Sequence, residues 1–173
     1  MTSMFVSTGT ILDRILARTI VDVEERRRSL PIDELERMAA NRPSPVSLKA
    51  AIGGPGIAVI AEIKRASPSR GRFPVEIDPA VVAAEYLAGG AAALSVLTDA
   101  PFFQGSLDDL FAVSTVAHRA LEPAPVLRKD FVIDEYQLHE ALAYGADAVL
   151  LILAALDQAA LIDLLTAAGH LGL

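Results

Sequence analysis

Residues 59–71 read VIAEIKRASPSRG: an apolar run carries a glutamate and a lysine two positions apart, then closes in a stiff Ser-Pro-Ser turn ending in glycine. In a strand, alternate residues share a face, so Glu62 and Lys64 project together from its C-terminal end. That end is where parallel α/β folds bind their ligands. A solvated ion pair at a strand end is the plain alternative, and it adds little stability. Downstream of Lys64, Ser67, Ser69 and the amides leading to Gly71 can hydrogen-bond an anion while Pro68 fixes the backbone. An ordinary polar loop reads the same way.

Working outward, the grammar after Gly56 alternates short apolar runs with helical patterns. Strands are expected at 57–63, 92–97, 125–127 and 148–153, and helices at 79–88, 106–121, 134–144 and 157–168. Four strand-helix units in succession predict a parallel sheet. The strands are apolar at consecutive positions, as expected when both faces are covered. An internal echo, Gly90-Ala-Ala-Ala-Leu and Gly145-Ala-Asp-Ala-Val, places a helix-ending glycine before two of the strands. Repeated βα modules favour a barrel over an open sheet. An eight-fold barrel takes about 250 residues, so the expectation is α/β, a (β/α)8 barrel represented by its first four units. The first 50 residues form a helical preface: an amphipathic helix over 11–28, a second over 32–40 and a short one over 47–52. The domain organisation expected is therefore 1–50 as extension and 57–173 as the βα units.

Composition narrows the function. The chain has 173 residues, 53% hydrophobic and 21% charged, with a formal charge of −7. That surplus of acid disfavours nucleic acid and anionic membranes as partners. No cysteine is present, which excludes disulfides, thiolate metal sites and thiol nucleophiles. His118, His139 and His170 lack metal-ligand spacing and are expected on helix surfaces, so no metal is expected. The charged first thirty residues hold neither a signal peptide nor a spanning helix, and the cytoplasm is the expected location.

A second candidate cluster is Arg128-Lys129-Asp130-Phe131, which follows Pro125-Val-Leu at another strand end. Two lysines and a glutamate at one rim suit a substrate bearing carboxylate or phosphate, with a lysine as proton donor; a charged surface loop is the alternative. Between the clusters lie Thr98-Asp99 and Phe102-Phe103-Gln104-Gly105-Ser106. Their paired aromatics can wall an aromatic substrate or pack beneath the loop as a local core.

Taken together, EIKRASPSRG, LSVLTD with FFQGS after it, and PVLRKDF followed by D-x-x-Q and YGADAVLLI resemble the indole-3-glycerol-phosphate synthase family of tryptophan biosynthesis. The likeness runs from the N-terminal helices to Leu173. It implies ring closure of an anilino deoxyribulose phosphate with loss of carbon dioxide and water, without a cofactor, so the implied partner is a small anionic aromatic sugar phosphate. By match to the family motifs, Lys129 is the general acid that activates the ketose carbonyl. Lys64 contacts the substrate carboxylate and helps the later dehydration, with Glu62 beside it in the proton network. Ser67 and Pro68 shape the first loop, and Phe131, Phe103 and Leu150 line the aryl pocket.

The family pattern also supplies a fifth-strand glutamate and a phosphate site from the last two strands, which do not fall among these residues. The expectation is a truncated, inactive chain whose exposed strand edges favour self-association. Two alternatives stand beside the synthase: a non-catalytic half-barrel that assembles with a partner or itself, and a related sugar-phosphate isomerase barrel. The complete Glu-x-Lys-Arg-x-Ser-Pro-Ser motif disfavours the isomerase.

Overall fold

A computed structural model describes residues 8–173. Three helices come first: α1 (Ile11–Ser29), α2 (Ile32–Ala39) and α3 (Leu48–Ile52). The Thr10 side chain caps α1 by accepting from the Leu12 amide at 3.2 Å. Asp13 in its first turn and Arg26, Arg27 and Arg28 in its last complement the helix dipole. Ile15, Leu16, Thr19 and Val23 form the buried stripe, at the three- and four-residue spacing of one helix face.

The remainder contains β1 (Ile60–Ile63), β2 (Ala66–Ser67), β3 (Gly71–Arg72), α4 (Pro79–Ala88), β4 (Ala93–Leu97), α5 (Ala100–Phe103), α6 (Leu107–Arg119), β5 (Val126–Lys129), α7 (Tyr136–Ala143), β6 (Ala148–Val149) and α8 (Gln158–His170). Strands β1, β4, β5 and β6 form one parallel sheet in that order. Each leads into a helix of the outer layer, the βα alternation of the first half of an eight-fold barrel. The echo seen in the sequence has a physical basis, because Gly90 and Gly145 follow α4 and α7 with φ of 88° and 85°, the left-handed conformation that ends helices.

The register fixes what each face carries. Glu62 pairs with Ser95 and Ser95 with Leu127; Leu97 pairs with Lys129. Between these, Ile63, Leu94, Val96 and Val126 point to the helix layer and pack in one buried cluster with Ala83 of α4, Leu110, Val113 and Ala117 of α6, and Ala141 of α7.

Of the preface helices, α1 and α2 lie against this outer layer, while α3 meets β4. Leu16 joins Leu138, Leu164 and Ala168 of α7 and α8, while Val23 and Leu35 pack with Tyr136 and Ala143. Polar ties reinforce the seam: Tyr136 Oη donates to the Leu30 carbonyl at 2.8 Å, Arg42 Nε to the Ala143 carbonyl at 3.1 Å, and the Val46 amide to Asp147 Oδ1 at 2.8 Å.

Some boundaries differ from those expected. The first strand begins at Ile60; Ile57 and Val59 before it are exposed. The last strand keeps two residues of the six expected, because its ladder to β5 closes after Arg128 pairs with Val149. The hairpin β2–β3 and the turn α5 replace stretches read as loops. His118 is not a free surface residue: its Nε2 lies 2.8 Å from Asp147 Oδ2, and its side chain is largely covered. His139 is likewise largely covered, with Nδ1 3.7 Å from Glu36.

Candidate active site

The C-terminal ends of β1 and β5 bring three of the predicted residues together. Glu62 lies inside β1 on the face turned away from the helices, and Lys64 follows two positions later. By register, Lys64 comes level with Leu97 and therefore with Lys129. The glutamate joins the two cations: Lys64 Nζ donates to its Oε1 at 2.7 Å and Lys129 Nζ to its Oε2 at 3.1 Å. Burial alone would raise the Glu62 pKa, but the two ammonium groups outweigh it and hold the carboxyl below its ordinary value. Glu62 is thus an ionised acceptor between two proton donors. The three side chains remain 31–35% exposed, so a ligand can reach them. Ser95, level with Glu62 in the sheet, has a buried hydroxyl with no hydrogen-bond partner among the described residues.

Two aromatic side chains meet on the segments that follow β4 and β5. Phe103, the last residue of α5, stands with its ring centroid 6.0 Å from that of Phe131 at an interplanar angle of 39°. Asp99 builds the turn by accepting from the Phe102 and Phe103 amides at 2.8 and 3.2 Å. Gln104 then turns left-handed with φ of 55°. Next, Gly105 passes so close to the end of β4 that a Cβ there would collide with the Leu97 carbonyl. The Phe-Phe-Gln-Gly-Ser run is therefore a device for folding an aromatic turn back onto a strand end. Burial pushes the Asp99 carboxyl up to about 6 against the pull of its capping amides, with Asp130 and Asp22 adding to the rise.

Ser67 lies in β2 and Pro68 begins the turn of the hairpin; β2 packs against α5, which brings the Ser67 segment to the Phe103 turn. Ser67 Oγ and Ser69 Oγ are 3.4 Å apart at the turn. Leu150 follows β6, partly buried, and by register continues level with Lys129. The three charged residues and the two aromatic rings each form a direct contact group; Ser67, Pro68 and Leu150 are placed by the backbone alone.

A set of residues that sequence reasoning left at the rim does something else. Arg128 and Asp130, either side of Lys129, point to the helix layer and are almost wholly buried. Arg128 donates to Asp130 Oδ2 at 2.8 Å, to the Gln137 carbonyl at 2.7 Å and to Glu140 Oε2 at 3.2 Å. Arg26 of α1 grips the same Glu140 at 2.6 and 3.2 Å. Burial would raise the Asp130 pKa, but Arg128, the Thr98 hydroxyl and the Phe131 amide overcome it and hold the carboxyl low. Strand alternation was the available signal, since it separates Arg128 and Asp130 from Lys129. Arg65, next to Lys64, similarly pairs with Asp109 of α6, anchoring the end of β1 to the helix layer.

Comparison with known proteins decides the family. The family model described as "Indole-3-glycerol phosphate synthase" matches residues 12–173. The chain belongs to the indole-3-glycerol phosphate synthase family. Curated proteins of that name agree. The one from Mycolicibacterium gilvum is 50% identical over 166 residues, covering 96% of this chain and 59% of the relative. Those from Mycobacteroides abscessus and Mycobacterium tuberculosis are 50% and 49% identical over 167 residues, covering 96% of this chain and 60% of each relative. The chain thus spans about three-fifths of the length of these synthases. Among the described residues no helix is long and apolar enough to cross a membrane.

Proposed function

We propose that this chain supplies the first four βα units of an indole-3-glycerol phosphate synthase. The reaction closes the ring of 1-(2-carboxyphenylamino)-1-deoxyribulose 5-phosphate, with loss of carbon dioxide and water. The observation that carries the reading is Glu62 bridging Lys64 and Lys129 at the ends of β1 and β5, across β4 between them, with the Phe103–Phe131 pair on the segments that follow β4 and β5. In this reading the aryl ring seats against Phe103 and Phe131, with Leu150 on the same wall. Lys129 donates a proton to the ketose carbonyl oxygen as the carboxylate-bearing ring carbon attacks the carbonyl carbon. Carbon dioxide then leaves and the ring regains aromaticity. Lys64 pairs with the substrate carboxylate before that step, and afterwards assists departure of the new hydroxyl as water. Glu62, kept ionised between the lysines, takes up and returns protons. Ser67 and Pro68 shape the loop over the site.

A small anionic aromatic sugar phosphate is the proposed substrate, and the cytoplasm the proposed location, in keeping with the biosynthetic relatives. Ile57, Val59 and Ile60 along the β1 edge are exposed apolar residues, a surface suited to further strands or to a second copy. The test is indole-product fluorescence with the anilino substrate, run on this chain alone and with a separately expressed C-terminal half of a relative. Turnover that appears only in the mixture is the expected result. No product from a properly assembled mixture overturns the reading.

A further inference from the structure

We propose that Thr98 is a positioning residue for Lys129: from the neighbouring strand end it holds three consecutive residues, 128 to 130, and so fixes where the Lys129 ammonium meets Glu62. Thr98 is buried directly after β4. Its backbone amide donates to the Lys129 carbonyl at 3.2 Å. Its hydroxyl donates to Asp130 Oδ2 at 2.6 Å and accepts from Arg128 Nε at 3.2 Å. One short side chain therefore uses both its donor and an acceptor position on the two residues that flank Lys129.

This geometry matters because the Lys129 side chain has little else to direct it. A lysine ammonium rides on a flexible four-carbon stem, and here it is 35% exposed with one ion pair among the described residues, at 3.1 Å. Its location is inherited from the backbone at residue 129. That backbone is pinned by Asp130, which also accepts from the Phe131 amide at 2.8 Å, and by Arg128. Through Asp130 the same hydroxyl acts on Phe131, whose ring faces Phe103. The hydroxyl ties the end of β4 to both anchors, so removing it frees the rim without removing either charge. The catalytic importance of that placement rests on the proposed role of Lys129, whereas the placement itself can be read without turnover.

The sequence offers a direct readout, because Lys49, Lys64 and Lys129 are its only lysines. Competitive acetylation at a limiting dose of acetic anhydride, with peptides quantified by mass spectrometry, reports each ammonium. Exposed Lys49 serves as internal reference. Thr98→Val, close to isosteric, is expected to raise Lys129 labelling relative to Lys49 by about fivefold, the factor carried by one lost hydrogen bond. Lys64, held on the other oxygen of Glu62, should stay within about twofold, a fraction of one such bond. Thr98→Ser restores the hydroxyl and should keep the wild-type ratio.

An unchanged Lys129 ratio overturns the proposal. So does a parallel rise at Lys64 and Lys129, which is general loosening. If the valine variant does not fold, Thr98→Cys, with its weak sulfhydryl donor, is read instead. An increase of about twofold confined to Lys129 is then expected, and equality with Lys64 overturns the proposal. In a barrel completed to the relatives' length, Thr98→Val should lower kcat with KM unchanged. Retained turnover in Lys129→Met would remove the proton-donor role and leave the labelling result standing.

Discussion

The two sides of β5 are built to opposite specifications from adjacent residues. Lys129, on the inner side, meets one carboxylate and keeps about a third of its side chain in solvent. Arg128 and Asp130, on the helix side, are stripped of solvent and surrounded by hydrogen-bond partners from Thr98 just after β4, from α7 and, through Glu140, from α1. A group that must exchange protons with a ligand needs access and spare hydrogen-bonding capacity. A group that holds the strand in place works best desolvated and fully bonded. Burying the network is costly, so its role is specificity of placement rather than a large gain in stability.

The division can be broken from either side. The largest effect on stability is expected from Arg128→Met, which leaves buried Asp130 without its cation and Glu140 with Arg26 alone. Urea unfolding should show a loss of about 3–5 kcal/mol, and a loss below about 1 kcal/mol would mean that the network is not desolvated as described. Arg26→Met removes the α1 end of the same network but leaves Glu140 paired with Arg128, so a smaller loss of about 2 kcal/mol is expected. Hydrogen exchange should show faster exchange in α1 than in α6; equal protection would contradict the tie.

Asp99 sharpens the comparison by pH. Its folded-state pKa of about 6 lies above the ordinary Asp value, so between those two values the native state binds more protons than the unfolded chain. Its contribution to stability therefore grows as pH falls from about 6 towards about 4. Asp130 and Glu62 run the other way: depressed in the fold, they favour folding above their ordinary values, and that stabilisation is lost as pH falls through the lower folded values. Comparing wild type with Asp99→Asn at pH 7 and pH 5 should show a smaller gain, or a larger loss, in the variant on acidification. Identical slopes would contradict the assignment. The smallest effect belongs to the inner side, where Lys64→Met should change unfolding free energy by less than about 1 kcal/mol because the pair is partly solvated.

Much of this arrangement is legible in the chain. The two-residue spacing of Glu62 and Lys64 predicts their common direction, and four successive βα units predict a parallel sheet; the cover on both faces expected from the consecutive apolar runs is not found among the described residues, where the inner residues of β1 and β5 stay partly exposed. The meeting of Glu62 and Lys64 with Lys129 depends on the strand order, which four successive βα units imply. Other features are not local. Arg65 finds Asp109 across 44 positions and Arg26 finds Glu140 across 114, and a lone arginine gives no sign that it will be buried. His118 looks like a helix-surface residue until the fold brings Asp147 to it. The hairpin at 66–72 escapes notice because each strand is two residues long, too short for an alternating pattern. The shortness of β6 is likewise set by where its ladder to β5 ends, not by its own apolar run over 148–153.

The central claim is that Lys129 does chemistry while its neighbours hold it. The measurement that addresses it most directly pairs turnover with unfolding for Lys129→Met, in a barrel that carries these 173 residues and is completed to the relatives' length. Indole fluorescence should report a fall in kcat of about 10²–10⁴-fold, with KM within a few-fold of wild type. The unfolding free energy should stay within about 1 kcal/mol. Turnover close to wild type, or a loss of turnover matched by a comparable loss of folding, would contradict the account.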